Sequence, residues 1–571
     1  MKTRILVGAI CFLFLMMAVP VSGNTGETQS GWQTPMPIGW YDASMADKAV
    51  AINPAGEMLA VMVMTRASND YVIVASHCLP GDDWSQLSDV SSAIFPIYNL
   101  KAVADGAGNF WVTYSIQMSS TLASLDALKF NHTTGWSNWS SLQYQSDYGV
   151  GNVVLSADSV GNVMVAWVKM TTSAPWTYEI MAQRFTAASG WGTATLVRAS
   201  SANMPNGLSL STQSSGSAAV AWVEFPGSSS SLRTSRYVPN FGWSDVEVLT
   251  TQPTNVALVG IGFSEQGVGL IAWSQGNNPR EVYTRSYSNS AWQPAVLAAS
   301  DPQMAFVRFA VNSVGQAMLT WTNESYGHSM KCATFTPAQG WATSTAVFQI
   351  EASLNFIFAS LHLASNGHAL LVYEKGDGPA DDNGFFSRGF AISTWGPETL
   401  IAPPDVYAYE PIVSFGSQGM AVLCWNIMVM NHMTSAASVY IPSHMPAPSL
   451  NVISPTSGST SSTGTVHVIG VTDIGAQVNV NGIDAFVSNT GIFDIIVPLN
   501  QGENVLTITA TGAYGNGQST AVTVKYVDAA QQKMQNDINN LSGQGTMYLL
   551  LGLVALIVAI VAIVLLLRRK S

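Results

Sequence analysis

The chain is poor in cysteine and in charged residues. It has four cysteines among 571 residues, and Asp, Glu, Lys and Arg together make up only 10% of it. Cys11 lies in an N-terminal apolar run, and Cys78, Cys332 and Cys424 are an odd number in three distant segments. The sequence therefore predicts no disulfide framework, and we expect these three thiols to be small buried hydrophobic side chains.

Positive charge is especially scarce. The chain has 22 basic residues against 34 acidic ones, and five of the basic residues lie in its two terminal segments. A protein that binds nucleic acid needs basic patches to displace the counterions of the phosphates. The composition therefore argues against nucleic acid as a partner.

Several short enzyme motifs are also missing. The chain contains no HExxH, no G-x-S-x-G, no CxxC and no phosphate-binding P-loop. These motifs mark zinc proteases, serine hydrolases, redox or zinc sites and nucleotide-binding sites. The sequence therefore names no catalytic residue.

Two long apolar runs are present, one near each end. Residues 1–23 combine early positive charge, an apolar stretch and a small-residue end, which is typical of a cleaved signal peptide. Residues 547–567 are uncharged, and as a helix they would span about 31 Å, enough to cross a bilayer. Because two arginines and a lysine follow directly, the positive-inside rule predicts a cytoplasmic tail at 568–571. We expect a single-pass type I protein of the cell membrane, with the rest of the chain extracellular.

A motif of about 50 residues recurs eight times. Examples are "SADSVGNVMVAW" at 156–167, "GFSEQGVGLIAW" at 262–273 and "SFGSQGMAVLCW" at 414–425. Each copy predicts two strands joined by a tight turn, with a glycine at a turn position that requires positive φ and a large packing residue six positions later. The anchoring glycines are Gly56, Gly108, Gly161, Gly216, Gly267, Gly315, Gly367 and Gly419.

A second marker, a tryptophan followed by a short strand, comes 25 to 30 residues after the glycine in seven of the copies. The eighth copy lacks it, since no tryptophan occurs after Trp425, while "GWQTPMPI" at 31–38 has the marker pattern with Trp32 in place. The pattern predicts an all-β fold: an eight-bladed β-propeller over residues 30–445, closed by its N-terminal strand. An open solenoid is the alternative. The repeats resemble those of prokaryotic cell-surface propeller proteins.

After the propeller the composition changes to Gly, Thr and Val. Residues 446–527 alternate apolar and polar positions between turn residues, which predicts a small Ig-like β-sandwich. The motif "GAQVNVNG" at 475–482 and several later positions resemble the glucodextranase domain B type of bacterial Ig-like module. The resemblance implies a spacer or an accessory binding domain. The later positions are Gly491, Phe493, Val497, Leu499, Gly502, Asn504 and Leu506.

Residues 528–546 form a polar stalk before the membrane segment. Met534, Ile538 and Leu541 have helical spacing, so the stalk is either a monomeric linker or a short helix that pairs weakly with a second copy. We therefore expect a monomer or a weak stalk-mediated oligomer.

The expected work of the propeller is binding, with adhesion or scaffolding as the outcome. The ligand class stays open between a glycan, a surface polymer and a protein. The segments expected to form the innermost strands carry scattered Lys48, Lys101, Arg308 and His362, and no acid pair of the kind that glycoside hydrolysis needs. An extracellular glycan-active hydrolase or lyase, with its site in the funnel of the propeller, is the alternative.

Long loops between second and third strands favour a binding face, because loops on a rigid scaffold can vary without disturbing the core. We expect such loops at 169–179, 224–233, 374–384 and 426–435. On this face, ligand contacts are predicted for Trp176, Tyr407 and Tyr409.

Two further kinds of site are predicted. The acidic loop at 376–384 is either a calcium site or a solvated loop, and otherwise no cofactor is expected. The acidic loop's candidate ligands are Asp377, Asp381, Asp382 and Asn383. Four N-x-S/T sequons are candidate glycan acceptors of a glycoprotein. They lie at Asn131, Asn138, Asn323 and Asn540.

Overall fold

The computed structural model divides the chain into two compact units, one up to Pro446 and one from Ala447 onwards. It describes residues 31–41, 44–67, 70–119, 122–146, 148–171, 177–201, 203–252, 255–276, 279–323, 329–349, 355–376, 384–391, 394–402, 408–416, 419–429, 432–442, 447–473, 476–488, 491–512 and 517–569. The signal peptide expected at 1–23 lies outside these residues.

The first unit is made of eight antiparallel blades, one for each repeat, and a parallel pairing of Tyr148 with Leu122 joins blades 2 and 3 into one sheet. In chain order its strands begin with β1 (Gly31–Trp32), β2 (Met36–Tyr41), β3 (Ser44–Ile52), β4 (Met58–Ala67), β5 (Asp70–Cys78), β6 (Ser88–Ala93), β7 (Ile97–Ala104), β8 (Phe110–Gln117), β9 (Leu122–Asn131), β10 (Gly135–Trp136), β11 (Ser140–Ser146), β12 (Tyr148–Ala157), β13 (Val163–Thr171), β14 (Tyr178–Thr186), β15 (Gly190–Trp191) and β16 (Thr195–Ser201). The middle repeats follow with β17 (Asn206–Thr212), β18 (Ala218–Glu224), β19 (Ser230–Val238), β20 (Gly242–Trp243), β21 (Glu247–Gln252), β22 (Ala257–Phe263), β23 (Gly269–Gln275), β24 (Arg280–Ser288), β25 (Ala291–Trp292), β26 (Val296–Asp301), β27 (Met304–Val311), β28 (Ala317–Asn323), β29 (Ser329–Thr336), β30 (Gly340–Trp341) and β31 (Thr345–Gln349). The last two repeats contain β32 (Asn355–Leu363), β33 (Ala369–Gly376), β34 (Gly384–Ala391), β35 (Thr394–Trp395), β36 (Thr399–Ala402), β37 (Ala408–Phe415), β38 (Ala421–Val429) and β39 (His432–Ile441).

Within blades 1 to 7 the strands lie in the order in which they occur in the chain. The innermost strands of blades 1 to 8 are β3, β7, β12, β17, β22, β27, β32 and β37. Each of them contacts the innermost strand of the next blade, and β37 contacts β3 in turn. The blades therefore follow one another in a closed cycle.

The opening segment supplies the outer strand of blade 8. Trp32 pairs with Tyr440 and Met36 with Ala437, both antiparallel on β39. The indole Nε1 of Trp32 donates a 2.7 Å hydrogen bond to Ser387 in blade 7. The marker tryptophan of blade 6, Trp341, makes the equivalent 2.8 Å bond to the preceding blade. The pairing predicted for Trp32 is therefore confirmed.

The turn between the first two strands is five residues long in every blade, at 53–57 in the first and 416–420 in the last. All eight anchoring glycines have positive φ, from +77° at Gly216 to +89° at Gly161, as the repeat predicts. The large residue six positions after each glycine is buried. These residues are Met62, Tyr114, Trp167, Trp222, Trp273, Trp321, Tyr373 and Trp425. They fill the space between neighbouring blades, since each large core cluster joins residues of adjacent sheets.

The three cysteines beyond the N-terminal run are buried and unbridged, as expected. Burial raises the pKa of Cys78 to about 12 and that of Cys424 to about 11. Both thiols are therefore protonated at neutral pH and act as packing groups.

The second unit begins with a β-sandwich of two sheets. Its strands are β40 (Leu450–Ser454), β41 (Ser459–Ser461), β42 (Thr465–Thr472), β43 (Gln477–Val480), β44 (Ile483–Ala485), β45 (Ile492–Pro498), β46 (Gly502–Thr511) and β47 (Gly517–Tyr526). Three of them form one sheet and five form the other. Phe493, Val497 and Leu506 pack between the sheets, so the apolar alternation seen in the sequence builds an Ig-like core.

A single long helix, α1 (Ala529–Arg568), follows the sandwich. Its part from Asn536 to Arg568 is long and apolar enough to cross a membrane. The polar stalk is helical and continuous with the apolar segment, and Met534, Ile538 and Leu541 are exposed on it.

Candidate functional site

Each innermost strand contains a β-bulge near its start. The register against the second strand shifts between Met45 and Asp47 in blade 1, between Tyr98 and Lys101 in blade 2, and at the corresponding place in the other six blades. Because the innermost strand occupies the same place in every blade, the starts of these strands all lie at one end of the central channel. We call this end the channel mouth. Because bulges re-aim side chains and occur next to active sites, the channel mouth is the candidate functional site.

Five bulges place a residue in the left-handed region of φ. They are Asn99, Asn152, Gly207, Phe306 and Glu410. Glycine and asparagine adopt this conformation at low cost, but a phenylalanine or a glutamate rarely does. Phe306, at φ 45°, packs against the core of blade 7. Glu410, at φ 51°, has a side chain that is 72% exposed. Its backbone therefore holds a carboxylate out at the channel mouth.

Blades 8, 1 and 2 bring charged and aromatic groups together at the channel mouth. Lys48 Nζ of blade 1 lies 3.9 Å from a carboxylate oxygen of Glu410 in blade 8. Asp47 Oδ2, next to Lys48 on β3, accepts a 3.1 Å hydrogen bond from the backbone N–H of Leu100 in blade 2. Within the same bulge of β7, Tyr98 is 53% exposed and Lys101 is exposed. We call Asp47, Lys48, Tyr98, Lys101 and Glu410 the mouth cluster.

The lysine of the mouth cluster is buried. Its side chain is only 8% exposed, and Nζ has no hydrogen-bond partner among the described residues. Burial is the largest influence and lowers the pKa of Lys48, while the nearby Cys424, Glu410 and Asp47 act in the opposite direction. Glu410 is also held by Asn426, whose amide donates a 2.9 Å hydrogen bond. Burying an amine without a hydrogen bond costs free energy. The position of Lys48 beside an exposed carboxylate therefore favours a role in a functional site over a purely structural one.

Asp47 and Glu410 were not found by the sequence analysis, which placed the start of the innermost strands too late. In the structure β3 begins at Ser44 and β37 at Ala408, so both acids belong to innermost strands. The bulge hides them because the extra residue breaks the alternation from which the start of a strand is judged. The innermost strands therefore carry two acids that the sequence analysis did not assign to them.

The other two charged residues noted in the sequence lie away from the mouth cluster. Arg308 Nε donates a 2.6 Å hydrogen bond to the carbonyl of Ala359, which joins blades 6 and 7, and burial lowers the pKa of this arginine. The ring of His362 stacks on Phe415 of blade 8 with 4.8 Å between centroids. Both act between blades.

Most of the predicted ligand contacts lie outside the described residues. Trp176 and Tyr407 do, and Tyr409 is described only by its backbone, which pairs with Asn426. The predicted calcium ligands Asp377, Asp381, Asp382 and Asn383 lie outside as well. Within the described ranges, no group of three or more His, Cys, Asp or Glu residues is placed to hold a metal ion.

One predicted long loop is instead a tight hairpin. The segment 426–435 belongs almost entirely to β38 and β39, which end and begin at Val429 and His432. Its run of apolar residues continues the strand pairing, with Met428 opposite Met433. The other three segments do contain a gap of several residues between their second and third strands.

The four sequons differ in their surroundings. Asn138 and Asn540 are exposed. The amide nitrogen of Asn131 donates to Asn109 at 3.2 Å, and that of Asn323 donates to Asp301. Two of the candidate acceptor nitrogens are therefore already used in the fold, and glycosylation stays a prediction.

The sequence and fold were compared with those of known proteins. No curated protein matches the chain. Among solved structures, the polysaccharide lyase Uly1 is 9% identical over 58% of this chain and 88% of its own length, with a TM-score of 0.38. A puromycin hydrolase mutant is 13% identical over 70% of this chain and 61% of its own length, with a TM-score of 0.40. An ulvan lyase of the polysaccharide lyase family PL25 is 9% identical over 66% of this chain and 94% of its own length, with a TM-score of 0.34. At such identities and scores these similarities say nothing about the activity of this chain.

The C-terminal unit has a clear relative. Residues 448–528 match the family model of glucodextranase domain B. The match covers the whole sandwich from β40 to β47 and includes the positions that carried the resemblance in the sequence. The chain is therefore a large region of repeated β-sheets followed by a glucodextranase domain B module.

Proposed function

We propose that this protein is a membrane-anchored extracellular carbohydrate-binding protein, whose propeller binds its ligand at the channel mouth. The observation that carries the proposal is the mouth cluster, in which Tyr98 and Lys101 of blade 2 and Glu410 of blade 8 are exposed on innermost strands that flank blade 1. An exposed aromatic ring on a rigid strand presents a flat apolar face, and charged groups next to it can bond the hydroxyl or acidic groups of a sugar. Adhesion to a surface glycan would follow from such binding.

The arrangement of the mouth cluster suits a sugar better than an apolar ligand. Both oxygens of Asp47 accept backbone hydrogen bonds, from Lys48 at 2.9 Å and from Leu100 at 3.1 Å, so this carboxylate fixes the two strands. Glu410 keeps one oxygen largely free for a ligand, since Asn426 and Lys48 both approach Oε2. The domain at 448–528 adds support, since its family is named for an enzyme of glucan chemistry.

The anchor is α1. Its segment Asn536–Arg568 has the length and apolar character of a membrane span, and basic residues follow it. In this proposal the chain is a single-pass protein of the cell membrane with the propeller outside. In the order of the chain, the module at 448–528 and the polar part of α1 lie between the propeller and the membrane segment.

The proposal is tested by applying the full-length chain, in detergent, to an array of glycans and acidic polysaccharides. We expect saturable binding to a subset of them, and a loss of about tenfold in affinity for Tyr98→Ala. Trp139→Ala is the matched control, because Trp139 is 64% exposed in the same blade but lies near its outer strand. Equal effects of the two substitutions, or no binding to any glycan, would contradict the proposal.

A glycan-active enzyme is the second candidate, and one specific observation favours it. The exposed carboxylate of Glu410 lies 3.9 Å from Nζ of the buried Lys48 on the neighbouring innermost strand, and a carboxylate in such a site can serve as acid or base in glycosidic cleavage. The bound polysaccharides are therefore incubated with the protein and analysed for shortened products. Products that disappear in Glu410→Gln would establish the enzyme, whereas intact polysaccharides would leave binding as the function.

A further inference from the structure

A cavity of about 770 Å³ opens between blades 7 and 8. It lies at the end of the channel opposite the mouth, because its wall includes residues of the turns that follow the innermost strands, such as Ala364 and Gly419. Phe390 and Tyr440 supply aromatic walls, and His362 and His368 supply imidazoles. The mouth cluster does not contribute to it.

Two other blade junctions show what occupies the equivalent space. In blade 3, Arg184 lies next to the last aromatic residue of the third strand, and its guanidinium carbon is 5.9 Å from the ring centroid of Tyr237 in blade 4. In blade 4, Arg236 has the same position and stacks at 3.9 Å on Tyr287 of blade 5. Its guanidinium also donates a hydrogen bond to the hydroxyl of Tyr287. Within the described part of the chain, neither arginine forms an ion pair. At these two junctions the space between the blades therefore holds a guanidinium group that lies against a tyrosine ring. No ion pair with a carboxylate is needed to keep it there.

The junction of blades 7 and 8 keeps the tyrosine and lacks the arginine. Gly389 pairs with Leu370 as Arg236 pairs with Ala219, three residues after the turn glycine in both blades. Tyr440 corresponds to Tyr287, since each pairs with the second residue after its own turn glycine. A Cβ built on Gly389 would meet only the hydroxyl of Tyr440, at 3.8 Å. The cavity therefore includes the place that corresponds to the arginine side chain of blade 4.

Two residues that line this cavity each have a polar atom without a hydrogen bond to any described residue. The hydroxyl of Tyr440 makes no hydrogen bond to any described residue, while its ring is held at 5.4 Å from that of Trp32. The Nε2 atom of His362 is buried and also without a partner. Burial lowers the pKa of His362 to about 4, so the imidazole is neutral at physiological pH and does not repel a cation. The hydroxyl of Tyr440 lies beside Gly389 at the wall of the cavity, so it can accept a hydrogen bond from a ligand bound there.

From these contacts we infer that the cavity between blades 7 and 8 binds the guanidinium group of an arginine side chain from a partner protein. The guanidinium stacks on Tyr440, donates to its hydroxyl, and takes the place that the chain's own Arg236 takes at the junction of blades 4 and 5. Recognition at this end of the propeller is independent of carbohydrate binding at the channel mouth.

The test uses the full-length chain in detergent and three small probes: the acetylated amides of arginine, lysine and citrulline. Citrulline has the shape of arginine without its charge. Ligand-observed NMR and calorimetry should show saturable binding of the arginine probe, at least about tenfold tighter than that of citrulline and tighter than that of lysine. Equal affinities for the arginine and citrulline probes would overturn the inference, as would absence of saturable binding up to about 20 mM.

Two variants locate the site. Gly389→Arg rebuilds the contact found in blade 4, so we expect it to fold with unchanged or raised melting temperature and to lose binding of the arginine probe by more than about tenfold. Gly389→Ala adds one methyl group where there is room and is the matched control that keeps binding. If Gly389→Arg folds and still binds the probe as the wild type does, the probe binds elsewhere and the inference is wrong. Tyr98→Ala should leave this binding unchanged, which separates it from carbohydrate binding.

Discussion

Replacing Trp32 by alanine tests how the propeller is held closed. The indole of Trp32 packs 5.4 Å from the ring of Tyr440 against the core shared by blades 7 and 8, and its Nε1 bonds Ser387. Deleting a fully buried tryptophan costs about 3 to 5 kcal/mol. Because Trp32 is half buried, about 2 kcal/mol of that cost applies, and the lost hydrogen bond adds about 1 kcal/mol. We therefore expect Trp32→Ala to lower the free energy of unfolding by about 3 kcal/mol.

Urea unfolding, followed by tryptophan fluorescence and by circular dichroism, measures this loss. Trp341→Ala is the comparison inside the ring, since Trp341 makes the same hydrogen bond to the preceding blade, and its loss should be of similar size. Trp139→Ala should change the stability by less than about 0.5 kcal/mol, because Trp139 is exposed. If Trp32→Ala is as harmless as Trp139→Ala, the opening strand does not hold the ring closed and the reasoning is refuted.

Three further substitutions test other parts of the fold. Gly267→Ala should cost about 1 to 2 kcal/mol in thermal unfolding, since the glycine has φ +81° and alanine disfavours that conformation even in open space; no loss would contradict the proposed turn. Glu224→Gln should lower the free energy of unfolding by about 3 to 5 kcal/mol, because the buried carboxylate of Glu224 forms ion pairs with Arg198 and Arg233 and both arginines would lose their counter-charge. The pKa of His362 is about 4 in the folded chain and near 6.5 in the unfolded chain, so the unfolded chain binds the proton more tightly. The free energy of unfolding should therefore fall by up to about 1.4 kcal/mol per pH unit as the pH drops from 6.5 to 4. His362→Phe should remove that part of the pH dependence in acid unfolding titrations, while the exposed His467→Gln should leave it unchanged.

The repeat architecture could be predicted because it depends on residues with one clear role. A glycine at positive φ and a large residue six positions later fix a turn and an inter-blade contact, and both recur in every repeat. Trp32 could be assigned to blade 8 for the same reason, since a marker strand is recognisable wherever it lies in the chain. The sandwich could be predicted from its alternating pattern.

The two sites could not be predicted in the same way. The mouth cluster depends on bulges, which break the alternation that reveals a strand, and on contacts between blades far apart in sequence, such as that of Lys48 with Glu410. The cavity between blades 7 and 8 depends on a side chain that is missing. Gly389 becomes informative only when the third strands are aligned through their pairing, which places it where blade 4 has Arg236.

Hydrogen–deuterium exchange of the full-length chain, with and without a glycan selected from the array, tests the central claim most directly. We expect the ligand to slow exchange in the segments that carry the mouth cluster, at 44–52, 97–104 and 408–415, and to leave the turns at 364–368 and 416–420 unchanged. Protection confined to those turns or to the module at 448–528, with the three strand segments unaffected, would contradict carbohydrate binding at the channel mouth.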